Sequence, residues 1–248
     1  MQFNNEVSVL NSITLNHNNF DAAIIDLDGT MVDTLGDFAQ ALNLMLIDLL
    51  PGDASTARLD AAAIELMVGK GSEHLVKSAL KHAQAQMGSA QAAINLVANY
   101  EQAYAGYQRH YAGINGRYSN VYPGVVDGLL ALQQAGLKLA CLTNKPVGFA
   151  RELLKLKGLE GYFSQVFGGD SFAVKKPDPL PLLKTCESLG TVPARTLMVG
   201  DSSNDARAAR AAGCPVVLVT YGYNHGEPVR GVDADGFIDS LAELRLQK

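Results

Sequence analysis

Four short polar clusters stand at or just after the ends of apolar runs. Asp26-Leu27-Asp28-Gly29-Thr30 sets two carboxylates two residues apart at the end of the run 21–26 (DAAIID). Thr143-Asn144 ends the run 137–144 (LKLACLTN), and Lys175-Lys176-Pro177-Asp178-Pro179 comes after 165–170 (QVFGGD). Gly200-Asp201-Ser202-Ser203-Asn204-Asp205 closes the run 196–201 (TLMVGD). A carboxylate can attack phosphorus and form an acyl phosphate, and a second one can give and take a proton. A lysine and a threonine hydroxyl suit a phosphoryl group whose charge is spread over three oxygens. Three carboxylates alone would repel one another and would not all stay ionised. A divalent cation resolves this, and oxygen ligands favour Mg2+.

The apolar runs read as buried parallel strands, and 216–222 (VVLVTYG) as another. Helical patterns over 125–134, 147–157, 180–189 and 204–212 lie between them, with glycine close behind at 136, 158, 190 and 213. This alternation implies an α/β fold, a doubly wound parallel-sheet (Rossmann-like) core over 19–34 and 119–248. In such sheets ligands bind outside the carboxyl ends of the strands, so the four clusters should converge on one crevice. The segment 35–118 breaks the rhythm. It has no convincing strand, is rich in Ala, Leu and Gln, and is punctuated at Pro51-Gly52, Gly69-Lys70-Gly71 and Gly88-Ser89. It reads as an inserted all-α domain of about four helices. Residues 1–18 read as a polar lead-in.

These four motifs, in this order, resemble the haloacid dehalogenase superfamily of phosphatases over about residues 20–237, with the insertion standing where that family has a small helical cap domain. The resemblance implies the following roles. Asp26 is the nucleophile, and Asp28 protonates the leaving alkoxide and then deprotonates water. Asp26, the Asp28 carbonyl and Asp201 bind Mg2+, with Asp205 supporting the ion from behind. Thr143 and Asn144 hold the transferring oxygens, and Lys176 neutralises charge on Asp26 and phosphate. Gly29 and Thr30 offer backbone N–H groups to phosphate. Lys70, in the Gly69-Lys70-Gly71-Ser72 turn, is a candidate contact for a substrate anion. The stretches 211–215 (AAGCP) and 220–228 (TYGYNHGEP) closely resemble bacterial phosphoglycolate phosphatases. They imply a small phosphorylated metabolite, 2-phosphoglycolate, as substrate. The rivals are a broader sugar-phosphate or nucleotide phosphatase, a β-phosphoglucomutase-like mutase and, from another class, a non-enzymatic phosphate-binding protein.

The remaining features carry structural readings. With 48% hydrophobic and 18% charged residues the chain is a globular protein. A net charge of −5 and the lack of a basic cluster argue against nucleic acid. No apolar run approaches membrane-spanning length. Cys141, Cys186 and Cys214 are expected as buried thiols of a reducing cytoplasm. The histidines at 17, 74, 82, 110 and 225 show no metal-ligand spacing. Tyr104, Tyr107 and Tyr111 form a stripe expected in the insertion's core. Asp33 is expected to be solvated or to cap a helix, and Lys175 to be a solvated neighbour. Residues 34–36 and 117–124 are the candidate hinges, and the chain is expected to work as a monomer or homodimer.

Overall fold

The computed structural model describes residues 15–16, 19–50, 58–86, 96–244 and 246–247. Most of the expected lead-in, with His17, and the turns at Pro51-Gly52 and Gly88-Ser89 lie outside the described residues. In chain order the elements are β1 (Leu15–Asn16), β2 (Ala22–Ile25), β3 (Val32–Asp33), α1 (Leu35–Leu49), α2 (Ala61–Glu65), α3 (Ser72–Gln86), α4 (Tyr100–Ile114) and β4 (Asn120–Val121). Then follow α5 (Val125–Gln134), β5 (Lys138–Leu142), α6 (Val147–Leu156), β6 (Gln165–Phe167), α7 (Leu180–Leu189), β7 (Thr196–Gly200), α8 (Ser203–Ala212), β8 (Val216–Val219), β9 (Gly236–Ile238) and β10 (Leu246–Gln247).

Six strands form one sheet in the order β6-β5-β2-β7-β8-β9, and every pairing is parallel. β2 is central because both neighbours take it in register: Ile25 faces Cys141 on one side and Val199 on the other. Its AAII sequence is wholly buried, as a strand covered on both faces requires. Ala23, Ile25, Leu139, Cys141 and Val199 point to the side packed by α5 and α6, while Ala22, Ile24, Ala140 and Met198 point to the side packed by α7 and α8. β9, three residues long at the sheet edge, was not among the strands expected from the sequence. The lead-in also carries structure: Leu15–Asn16 runs parallel to Leu246–Gln247. All three cysteines are buried and free. No helix among the described residues is long and apolar enough to cross a membrane.

Helices α1 to α4 enclose a core of their own, centred on Met45, Leu46, Leu80 and Tyr107. Tyr107 and Tyr111 are fully buried there, and Tyr104 packs at its edge. The chain enters and leaves this unit through two adjacent crossings, where β3 and β4 pair antiparallel. Asp37, in the first turn of α1, is completely buried and accepts from Gly116 N and Tyr118 N, both at 2.7 Å. On the core side Lys157 donates to the carbonyls of Gly116 and Ser119, and Asn115 donates to Phe149 O. A buried carboxylate that satisfies two backbone donors is strongly stabilising relative to its loss, because truncation leaves both donors without acceptors. Asp37→Ala is therefore expected to lower unfolding free energy by about 2–3 kcal/mol, read as a shift of the urea midpoint. An unshifted midpoint would show that the crossings are held by other contacts.

Candidate active site

The carboxyl ends of β2, β5 and β7 open on one crevice, and the loop after β6 delivers a lysine to it. Asp26 follows β2 and is nearly buried. Its Oδ1 accepts from Leu27 N at 2.7 Å and lies 3.1 Å from Lys176 Nζ. Asp201, next to the end of β7, is buried, and its Oδ2 accepts from Tyr223 N at 2.6 Å. Gly29, at φ 83°, lets the loop lie against that carboxylate, since a Cβ there would stand 2.2 Å from Asp201 Oδ2. Asp205, in the first turn of α8, forms a capping box with Ser202 and lies 2.7 Å from Lys176 Nζ. Lys176 also donates to Leu142 O at 2.8 Å.

Oxygens of Asp26, Asp201 and Asp205 lie within 4.8 Å of one another. Three carboxylates against the one ammonium of Lys176 leave two negative charges in excess. Burial, opposed by Lys176 and reinforced by Asp205 and Asp28, pushes Asp26 up to about 7. Burial, then Asp205 and Asp26, raises Asp201 well above the usual carboxylate range. Burial works against the charge of Lys176, but Asp205 and Asp26 outweigh it and hold the ammonium above the ordinary lysine value. An oxygen-only donor set with this excess charge fits a hard divalent cation. Asp205 Oδ1 accepts from Lys176, and its Oδ2 accepts from both the N–H and the O–H of Ser202.

Four expected contacts are corrected. Gly29 N donates to Val32 O and Thr30 N to Leu27 O, so the tight turn after β2 consumes the N–H groups expected to face phosphate. The Thr30 hydroxyl donates to Asp201 Oδ1 instead. The Asn144 side chain donates to Gly69 O at 3.0 Å and Lys176 O at 2.8 Å, joining the helical unit to the core, and the residue also lines the cavity. The Gly69–Ser72 turn does reach the crevice, but Lys70 is exposed and Gly69, Gly71 and Ser72 line the cavity. Lys175 is not merely solvated, for it pairs with Glu73 on α3.

A model of the haloacid dehalogenase-like hydrolase family matches residues 20–213. The chain belongs to that family. Among similar haloacid dehalogenase-like proteins, a phosphoglycolate phosphatase of Thiobacillus denitrificans is 44% identical over 91% of this chain and 94% of its own. A plasmid-encoded phosphoglycolate phosphatase of Cupriavidus necator is 43% identical over 90% of each chain. The crystal structure of a predicted phosphoglycolate phosphatase from Haemophilus somnus superposes with a TM-score of 0.80 at 32% identity, covering 91% of this chain and 96% of that one.

Several site residues of this family member escaped the sequence reading. Lys145 Nζ lies 2.8 Å from Asp28 Oδ1, and its side chain is only 3% exposed. Its one sequence signal was its place directly after Thr143-Asn144. Tyr223 O–H donates to Asp33 at 2.5 Å and accepts from Thr34 N and Leu35 N, so one residue joins Asp201 to the entry crossing. Asp33 also accepts from Leu35 N at the start of α1, the capping role open to it. Asn204 Nδ2 donates to Gly69 O at 3.2 Å, a second amide on the carbonyl that Asn144 holds.

A carboxyl whose folded value rises from 3.8 to about 7 stabilises the fold below the unfolded value and loses that contribution as pH climbs through the folded one. With divalent cations chelated, the wild type is expected to lose stability between about pH 5 and about pH 8, and Asp26→Asn to lose less. Chemical denaturation at both pH values reads the difference; equal pH dependence in the two proteins contradicts it.

Proposed function

We propose that the chain is a Mg2+-dependent phosphatase that hydrolyses 2-phosphoglycolate to glycolate and phosphate. The observation that carries this reading is the division of labour between the two carboxylates of the Asp26-Leu27-Asp28 turn. Asp26 lies beside Lys176 with its Oδ1 pinned by Leu27 N, so Oδ2 is left to attack. Asp28 faces the cavity beside Lys145, where a leaving oxygen would lie. Relatives that carry the phosphoglycolate phosphatase name over nine-tenths of both chains support the choice of substrate.

Asp26 Oδ2 attacks phosphorus and the bond to the ester oxygen breaks, giving an aspartyl phosphate. Asp28 enters this step protonated on Oδ2, since Oδ1 accepts from Lys145, and gives that proton to the departing alkoxide. The Asp28 carboxylate then removes a proton from water, which attacks the acyl phosphate and releases phosphate with Asp26 restored. Thr143 Oγ1 accepts from Lys145 N and keeps its own hydrogen free to donate to a phosphate oxygen. Lys176, buried and charged, balances Asp26 throughout. Asp26, Asp201 and the Asp28 carbonyl would hold Mg2+, with Asp205 fixing Asp201 and Lys176, and the ion would supply positive charge against the negative charge of nucleophile and ester. Helices α1 to α4 act as a cap over the crevice and exclude bulk water. Three buried free thiols suit a reducing cytoplasm.

Phosphate release from 2-phosphoglycolate is expected to require Mg2+ and to stop with a chelator. Asp26→Asn should lower kcat by at least about 10⁴-fold, and Asp28→Asn by about 10²–10⁴-fold. Across a panel of esters, comparable kcat/KM for sugar phosphates and 2-phosphoglycolate would overturn the substrate assignment, and full activity of Asp26→Asn the mechanism.

A further inference from the structure

Lys145 is a buried cation in the wall of the crevice. It follows Asn144 at the mouth of the crevice, its carbonyl accepts from Gly169 N and its own N–H is held by Thr143 Oγ1, so its backbone position is set by the turn after β5. The ammonium sits 4.6 Å from the Phe38 ring centroid and 4.9 Å from that of Tyr111, both on the helical unit. Such rings stabilise a desolvated cation. Among the described residues, the Asp28 carboxylate is its one hydrogen-bond acceptor. An ammonium has three N–H donors, so two remain for a ligand.

We propose that Lys145 binds the carboxylate of the leaving group, and that the enzyme thereby selects phosphate esters of short α-hydroxy acids. This rests on the phosphatase reading above and adds the residue that reads the organic half of the substrate. Among the described residues lining the cavity, Lys145 is the only cation. Lys176 lies behind Asp26, bound to Asp26 and Asp205, and faces the phosphoryl side. In an ester of an α-hydroxy acid one carbon separates the ester oxygen from the carboxyl group, which places a carboxylate oxygen about 3 Å from the ester oxygen. Asp28 Oδ1 and Lys145 Nζ are 2.8 Å apart. One short molecule can therefore present its ester oxygen to Asp28 and its carboxylate to Lys145 together. Phe38, Val68 and Leu75 form an apolar part of the cavity wall, beside Gly69, Gly71 and Ser72. That wall gives a long polyhydroxylated chain few partners for its hydroxyls, whereas a two-carbon acid needs none beyond the ammonium.

The test is the ratio of kcat/KM for 2-phosphoglycolate over that for 2-hydroxyethyl phosphate, which replaces the carboxylate with a hydroxymethyl group. Lys145→Met is expected to lower this ratio by at least about 100-fold, while Lys145→Arg, which keeps the charge, retains most of it. If Lys145 only positioned Asp28, both esters would suffer alike; an unchanged ratio in Lys145→Met overturns the proposal. A wild type that favours 2-hydroxyethyl phosphate overturns the phosphoglycolate reading itself, which separates the two failures. Wild-type product inhibition gives a measurement free of any variant. Glycolate should compete with 2-phosphoglycolate and ethylene glycol should not; equal inhibition by the two again overturns the role of Lys145.

Discussion

Desolvated negative charge is the constraint around which the rest of this molecule is arranged. Burial drives the carboxyls of Asp26 and Asp201 toward their neutral forms, and Lys176 alone cannot balance Asp26, Asp201 and Asp205. A group whose ionisation is disfavoured by several kcal/mol in a dry interior keeps its charge only with partners in fixed geometry. The fold supplies those partners from distant parts of the chain. The parallel sheet delivers Asp26 and Asp201 side by side because β2 and β7 are neighbours. The capping box at the start of α8 fixes Asp205, which in turn orients Lys176. The unbalanced remainder is what a dication would neutralise.

A second arrangement joins this charged floor to the helical unit above it. Gly69, at φ 100°, turns its carbonyl toward the core, where the amides of Asn144 and Asn204 both donate to it. His225 packs on the same turn, and burial holds its imidazole below the ordinary histidine value. Tyr223 connects Asp201 to the entry crossing, and Lys175 connects the loop after β6 to α3. The contacts that position the reacting groups are thus interleaved with those that seat the helical unit on the core. Lys145 belongs to both sets, paired with Asp28 below and covered by Phe38 and Tyr111 above.

The central strands and the residues at their ends were legible because a fully buried parallel strand reads as an unbroken apolar run, and polar residues at its end stand out. Asp26, Thr143 and Asp201 stood out in that way, whereas Lys176, well beyond the end of β6, was singled out from Lys175 only by the resemblance. The helices of the core were legible from their spacing, and α5 and α7 span the residues expected of them. Contacts made across long sequence separations were not. Lys145 and Asp28 are 117 positions apart, and Asn204 and Gly69 are 135. Neither pairing leaves a periodic trace. Gly29 and Thr30 were misjudged for a local reason, since residue type does not show whether a turn spends its N–H groups internally.

The most direct measurement is mass spectrometry of enzyme quenched in acid during turnover of 2-phosphoglycolate. The account requires a phosphoryl adduct on the peptide that carries Asp26, formed with Mg2+ and lost when the cation is chelated. Steady turnover with no adduct, or an adduct on another residue, would contradict it.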